Sequence, residues 1–129
     1  MILLDTSVLI ADPLTGLDPQ EDYAASILSR AELEFGVAIA DGARAMARRR
    51  RLDELDQIYE WLPVTPATTR ACGILAKAMH AHAPAQARRM DTYIAAHALE
   101  WGVPLMTANP KDLHLIAYLV TIIPWPAEG

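Results

Sequence analysis

Five side chains in this sequence have the chemistry to hold a cation or steer a water, and each stands where a chain segment changes character: Asp5, Glu32, Asp91, Asn109 and Asp112. Asp5 ends the apolar run from Ile2 to Leu4. Glu32 and Asp91 fall in the first turns of two expected helices. Thr107 and Asn109 follow a later apolar run, with Asp112 one turn further on. Each acid also has an ordinary structural use. Asp5 and Asp91 are helix-capping types, Glu32 would complete a capping box with Ser29, and Asp112 would answer a helix dipole. Together they point elsewhere. Three carboxylates about 4–6 Å apart repel by roughly 3 kcal/mol per pair at an effective dielectric near 20. Three pairs approach about 10 kcal/mol, comparable with a whole domain's stability. Such a group must take up protons or bind a hard divalent cation, Mg²⁺ or Mn²⁺. A metal so held suits phosphodiester hydrolysis by an activated water.

Several short segments must bring these residues together. Ile2 to Leu4 reads as a buried strand, with a helix after it through Val8 to Ala11, broken at Pro13 and Gly16. Ala24 to Leu28 is a second apolar run, and Ser29-Arg30-Ala31-Glu32 reads as a capping box opening a helix that runs to Asp41-Gly42. Gly36 within that helix suggests a close backbone approach. A longer helix is expected from Ala43 to Leu62. Pro63 and Pro66 bracket an extended piece. Ala71, Ile74, Leu75, Ala78 and Met79 fit one helical face, and a further helix starts near Asp91 and stops at Gly102. Pro104 to Thr107 reads as a strand, Pro110 to Ala117 as a short helix, and Leu119 to Ile123 as a last strand. Alternating short strands and helices imply one α/β domain over residues 1–129, an α/β/α sandwich with a mostly parallel sheet. Sites in such folds lie beyond the carboxyl ends of the strands.

Composition sets the boundaries. Eleven Lys and Arg against sixteen Asp and Glu give a net charge of −5, which excludes a basic nucleic-acid coat and gives no support for a polybasic membrane anchor. With 53% hydrophobic residues the chain is not disordered. The single Cys72 excludes an internal disulfide framework. The start has neither the basic region nor the unbroken apolar run of a signal peptide, and no segment is long enough to span a bilayer. A soluble cytoplasmic protein with no membrane contact is expected. Charge is nevertheless uneven: residues 44–51 hold five Arg and no acid. Arg44, Arg48 and Arg51 share a helical stripe with Leu55, and Arg88 and Arg89 precede Asp91. All five could meet RNA phosphates or an acidic partner. The alternative is a solvated helix with Arg49–Asp53 and Arg50–Glu54 pairs.

Four motifs carry a resemblance. Met1-Ile2-Leu3-Leu4-Asp5-Thr6-Ser7-Val8-Leu9-Ile10 resembles the opening of PIN-domain proteins, VapC-type toxins in particular. Ser29-Arg30-Ala31-Glu32-Leu33-Glu34-Phe35-Gly36 resembles their second acidic motif, Arg88 to Ala98 their third, and Leu105 to Leu113 their last. The four come in the family's order and span nearly the whole chain. The resemblance implies a PIN-like α/β/α fold and a Mg²⁺-dependent endoribonuclease. It also implies the toxin half of a type II toxin–antitoxin pair, with a cognate antitoxin as partner, RNA as substrate and a homodimer as assembly. By this resemblance Asp5 and Asp91 are the principal metal ligands, Glu32 is the next acid, and Thr6 is a supporting hydroxyl. The sequence departs at Asn109, where some members carry Asp. Asn109 or the nearby Asp112 would then position water, and one well-held metal is expected. A non-catalytic PIN-fold module acting through a protein partner is the main alternative, motivated by Asn109. A phospho-acceptor domain using Asp5 lacks a second strand-end Asp in mid-chain.

Overall fold

The structure is a computed structural model that describes residues 1–11 and 17–126. Five strands form one sheet: β1 (Ile2–Leu4), β2 (Tyr23–Ser26), β3 (Trp61–Leu62), β4 (Leu105–Thr107) and β5 (Ile122–Pro124), in the order β3-β2-β1-β4-β5. Every neighbouring pair is parallel. β1 is central. It pairs Ile2 with Tyr23 on one side and Leu3 with Leu105 on the other. The chain builds outward from β1 to β3, then returns to add β4 and β5 on the opposite side. The crevice beyond the ends of β1 and β4 is therefore the switch point where α/β sheets bind ligands.

Strand alternation divides the core into two layers. Leu3, Ala24 and Leu105 face α4 (Pro66–His80), α5 (Met90–Trp101) and the 3₁₀ segment Pro110–Ile116. Leu4, Ala25 and Met106 face α1 (Thr6–Leu9) and α3 (Gly42–Ile58). α2 (Ile27–Ala38) packs mainly on α3. Gly102 ends α5 at φ 65°, the left-handed geometry that favours glycine.

Three local expectations are corrected. Ser29 does not open a helix. Ser26 does, its Oγ accepting the Leu28 N–H at 3.0 Å, so β2 runs into α2 with no loop. The apolar run Ala24 to Leu28 is split between the two elements, and Glu32 sits in the second turn of α2 rather than in a cap. The long helix ends at Ile58, not Leu62. Trp61 and Leu62 leave it to pair with β2, while Trp61 Nε1 donates to Asp56 Oδ1 at 2.7 Å. The last strand begins at Ile122, because Leu119 and Val120 close turns on Ile116 O. On α4, Ala71, Leu75 and Met79 are buried as the spacing requires, but Ile74 is 51% exposed. Pro13 and Gly16 lie outside the described residues. No described helix is long and apolar enough to cross a membrane.

Candidate active site

Asp5 follows β1 directly and is buried at 7% exposure. Its backbone N–H donates to Met106 O at 2.9 Å, so β4 seats it from the side. Its Oδ2 accepts from Ser7 Oγ at 2.7 Å and from Thr107 Oγ1 at 2.9 Å. Ser7 Oγ in turn accepts the Ala108 N–H, and Thr107 Oγ1 the Asn109 N–H. The turn after β4 is thus tied to the turn after β1 through the carboxylate.

Glu32 arrives from α2. Its Oε1 accepts from Thr6 Oγ1 at 2.6 Å, and that hydroxyl also stands 3.0 Å from the buried Ser29 Oγ. Asp91 lies in the first turn of α5, where its Oδ1 accepts the Thr92 N–H at 2.9 Å. The three carboxylates open on one cavity of ≈ 320 Å³ at the switch point, together with Thr6, Arg89, Asn109 and Asp112. Asn109 and Asp112 both line it because the 3₁₀ turn between them carries the Asp112 N–H to Asn109 O.

The charges feel one another. Burial pushes the Glu32 carboxyl up; the Thr6 hydroxyl opposes this, and the charges of Asp5 and Asp91 add to it. Burial also raises Asp91, against the Thr92 N–H and Arg89, with Asp5 and Asp112 pushing further. In each of Asp5, Glu32 and Asp91 one oxygen is held by a protein donor, and no described residue donates to the other. Three free carboxylate oxygens on one polar cavity form a hard donor set that fits a small divalent cation. Among the described residues no three acidic, histidine or cysteine side chains are drawn into a ready-made metal cage. The fit is therefore to a cation that keeps part of its water shell, as Mg²⁺ does.

The arginines divide. Arg89 lines the cavity, and Arg88 is exposed outside it. Arg44 is exposed on the first turn of α3. Arg48 donates to Gly36 O at 2.6 Å; this is a side chain and not the close backbone approach expected at Gly36, where a Cβ would meet Arg48 Nη1 at 3.8 Å, an ordinary contact. Arg51 donates to Leu9 O and Ala11 O and so is engaged inside the molecule. Arg49 pairs with Glu34 across helices instead of with Asp53. Arg30 bridges Asp56 and Glu34, holding both carboxyls low together with Arg49. Sequence reasoning missed Ser7 and Ser29 as positioning hydroxyls. Ser7 stood in view in the Asp5-Thr6-Ser7 run, whereas Ser29 was marked only as a helix cap.

No family model matches the chain. Ribonuclease VapC4 of Mycobacterium tuberculosis is 33% identical over 111 residues, covering 83% of this chain and 85% of that protein. The solved structure of VapBC-5 from Mycobacterium tuberculosis, a member of the VapBC family of toxin–antitoxin systems, aligns with a TM-score of 0.73 at 27% identity over 93% of both chains. VapBC2 from Rickettsia felis, bound to a DNA fragment from its promoter, aligns with a TM-score of 0.77 over 97% of this chain and 99% of that one. At 22% identity it speaks to the fold alone. An acidic cavity at the switch point of this parallel sheet and the kinship to VapC4 agree: the chain belongs to the VapC family of ribonuclease toxins.

Proposed function

We propose that the chain is a Mg²⁺-dependent endoribonuclease that cuts RNA at the acidic cavity and is restrained by a cognate antitoxin. Mn²⁺ is a second competent ion. The observation that carries this reading is the convergence of Asp5, Glu32 and Asp91 on one cavity, each with one oxygen tethered and one free. These three residues would hold the metal. When bound, the metal supplies charge neutralisation and the Lewis acidity that makes water a nucleophile near neutral pH. Thr6 and Thr107 fix the rotamers of Glu32 and Asp5. The Asn109 amide and the Asp112 carboxylate orient the attacking water. Hydrolysis joins the water oxygen to phosphorus, breaks one ribose–oxygen bond to phosphorus and delivers a proton to the leaving oxygen. Arg89 at the cavity offsets the negative field that the RNA backbone must enter. The likeness to the VapBC-5 toxin–antitoxin structure supports an antitoxin as partner. A homodimer draws support from the exposed Ile74 and Tyr118, which line one groove with Leu115 and Leu119.

A non-catalytic reading is favoured by two observations: Asn109 brings no charge, and the carboxylates form no preassembled cage. One experiment separates the two. Purified chain is incubated with RNA in Mg²⁺ or EDTA, beside Asp5→Asn and Asp91→Asn variants. Cleavage by the parent in Mg²⁺ alone, lost in both folded variants, is the expected result. Equal cleavage by parent and variants, or none by the parent at any Mg²⁺ concentration, overturns the nuclease mechanism.

A further inference from the structure

The helix α1 is four residues long, far too short to hold itself together. Yet its first turn presents the two hydroxyls that set the acids: Thr6 against Glu32 and Ser7 against Asp5. Val8 and Leu9 are fully buried and fix one side of it. At the other end Thr6 O and Val8 O accept the N–H groups of Ile10 and Ala11, and the carbonyls of Leu9 and Ala11 follow. Arg51 reaches these from α3. Its Nε and Nη2 donate to Leu9 O at 3.2 and 3.0 Å, and Nη2 also donates to Ala11 O at 2.7 Å. Its neighbours Leu52 and Leu55 are buried, so the base of the side chain is anchored. A planar fork can serve two carbonyls at once, which a lysine ammonium does poorly. Its charge also sits at the negative end of the helix.

We propose that Arg51 is a positioning residue for cleavage: by closing the C-terminal end of α1 it holds Thr6 and Ser7 on the acids of the cavity. The proposal rests on that cavity being the hydrolytic site. Arg51 also borders a groove of ≈ 560 Å³ shared with Thr6, Glu32 and Arg48, so direct RNA contact is the competing role.

The test is Arg51→Gln and Arg51→Lys, each read in two ways. Amide hydrogen exchange over Val8 to Ala11, measured without metal or RNA, reports α1 itself. Steady-state cleavage reports kcat and KM. In R51Q those amides should exchange about tenfold faster while α5 is unchanged. kcat should fall about tenfold with KM within about twofold of the parent. R51K should lie between R51Q and the parent in both readings, and it alone carries the test where R51Q does not fold. Unchanged exchange in α1 overturns the proposal. So does a raised KM at constant kcat, which would assign Arg51 to RNA, or faster exchange with unaltered kcat. A parent that cleaves no RNA refutes the nuclease reading, and the exchange arm still decides whether Arg51 braces α1.

Discussion

Asp91→Asn should melt at or above the parent without metal and below it with metal. Asn keeps an oxygen for the Thr92 N–H, which Asp91 Oδ1 now accepts at 2.9 Å, and removes a half-buried negative charge that Asp5 and Asp112 both oppose. In EDTA the variant should therefore melt at or above the parent. With Mg²⁺ at about a hundred times the parent's Kd, binding adds about 2.7 kcal/mol. A chain of 129 residues unfolds with an entropy of about 0.27 kcal/mol/K, so the parent should gain about 10 °C. A variant whose Kd is about a hundredfold weaker gains about 0.4 kcal/mol at the same Mg²⁺, or about 1.5 °C. Differential scanning calorimetry with and without Mg²⁺ reads both quantities. The reasoning fails if D91N melts below the parent in EDTA and Mg²⁺ moves neither protein.

The pH dependence follows from the same charges. Glu32 and Asp91 are raised in the folded state, so the folded protein binds more protons than the unfolded chain above about pH 4. The metal-free protein should lose stability as pH rises from there through the raised folded values, and saturating Mg²⁺ should flatten that slope in thermal melts. Asn109→Asp adds a fifth carboxylate to the cavity, beside Asp5, Glu32, Asp91 and Asp112; it should tighten Mn²⁺ binding in calorimetric titration and lower the melting temperature in EDTA. Asp56→Ala strips the acceptor from both Arg30 and Trp61 Nε1, and chemical denaturation should report a loss of about 1.5–3 kcal/mol with RNA cleavage at the parent's rate. Gly102→Ala forces a side chain into the left-handed region at φ 65° and should cost about 1–2 kcal/mol in the same assay.

What could be read along the chain was whatever depends on neighbours in sequence. Asp5 is marked by the apolar run before it, Asp91 by its place at a helix start, and Gly102 by its place after the last apolar turn. The 3₁₀ turn from Asn109 to Asp112 was readable from Pro110. What escaped depends on partners distant in the chain. β3 is two residues whose strand character exists only beside β2. Ser26 outcompetes Ser29 as a cap because β2 must stop there, a fact set by the sheet. Arg48 and Arg51 looked free because periodicity shows which face a side chain shares, and not that Gly36 O, Leu9 O and Ala11 O stand opposite. The expected crowding of bare carboxylates is also milder in the fold. Ser7, Thr107, Thr6 and the Thr92 N–H each take up part of the charge.

β4 lies next to β1, although most of the chain separates them. During synthesis on a ribosome, Asp5 and Glu32 emerge early, but the backbone that seats Asp5 and the hydroxyl that aims it belong to Met106 and Thr107. A polypeptide that stops before β4 thus has Asp5 and Glu32 with their Ser7 and Thr6 partners in sequence but lacks the Met106 and Thr107 contacts that seat Asp5. The acidic cavity is therefore complete only once β4 and the turn after it have been made and β4 has paired with β1.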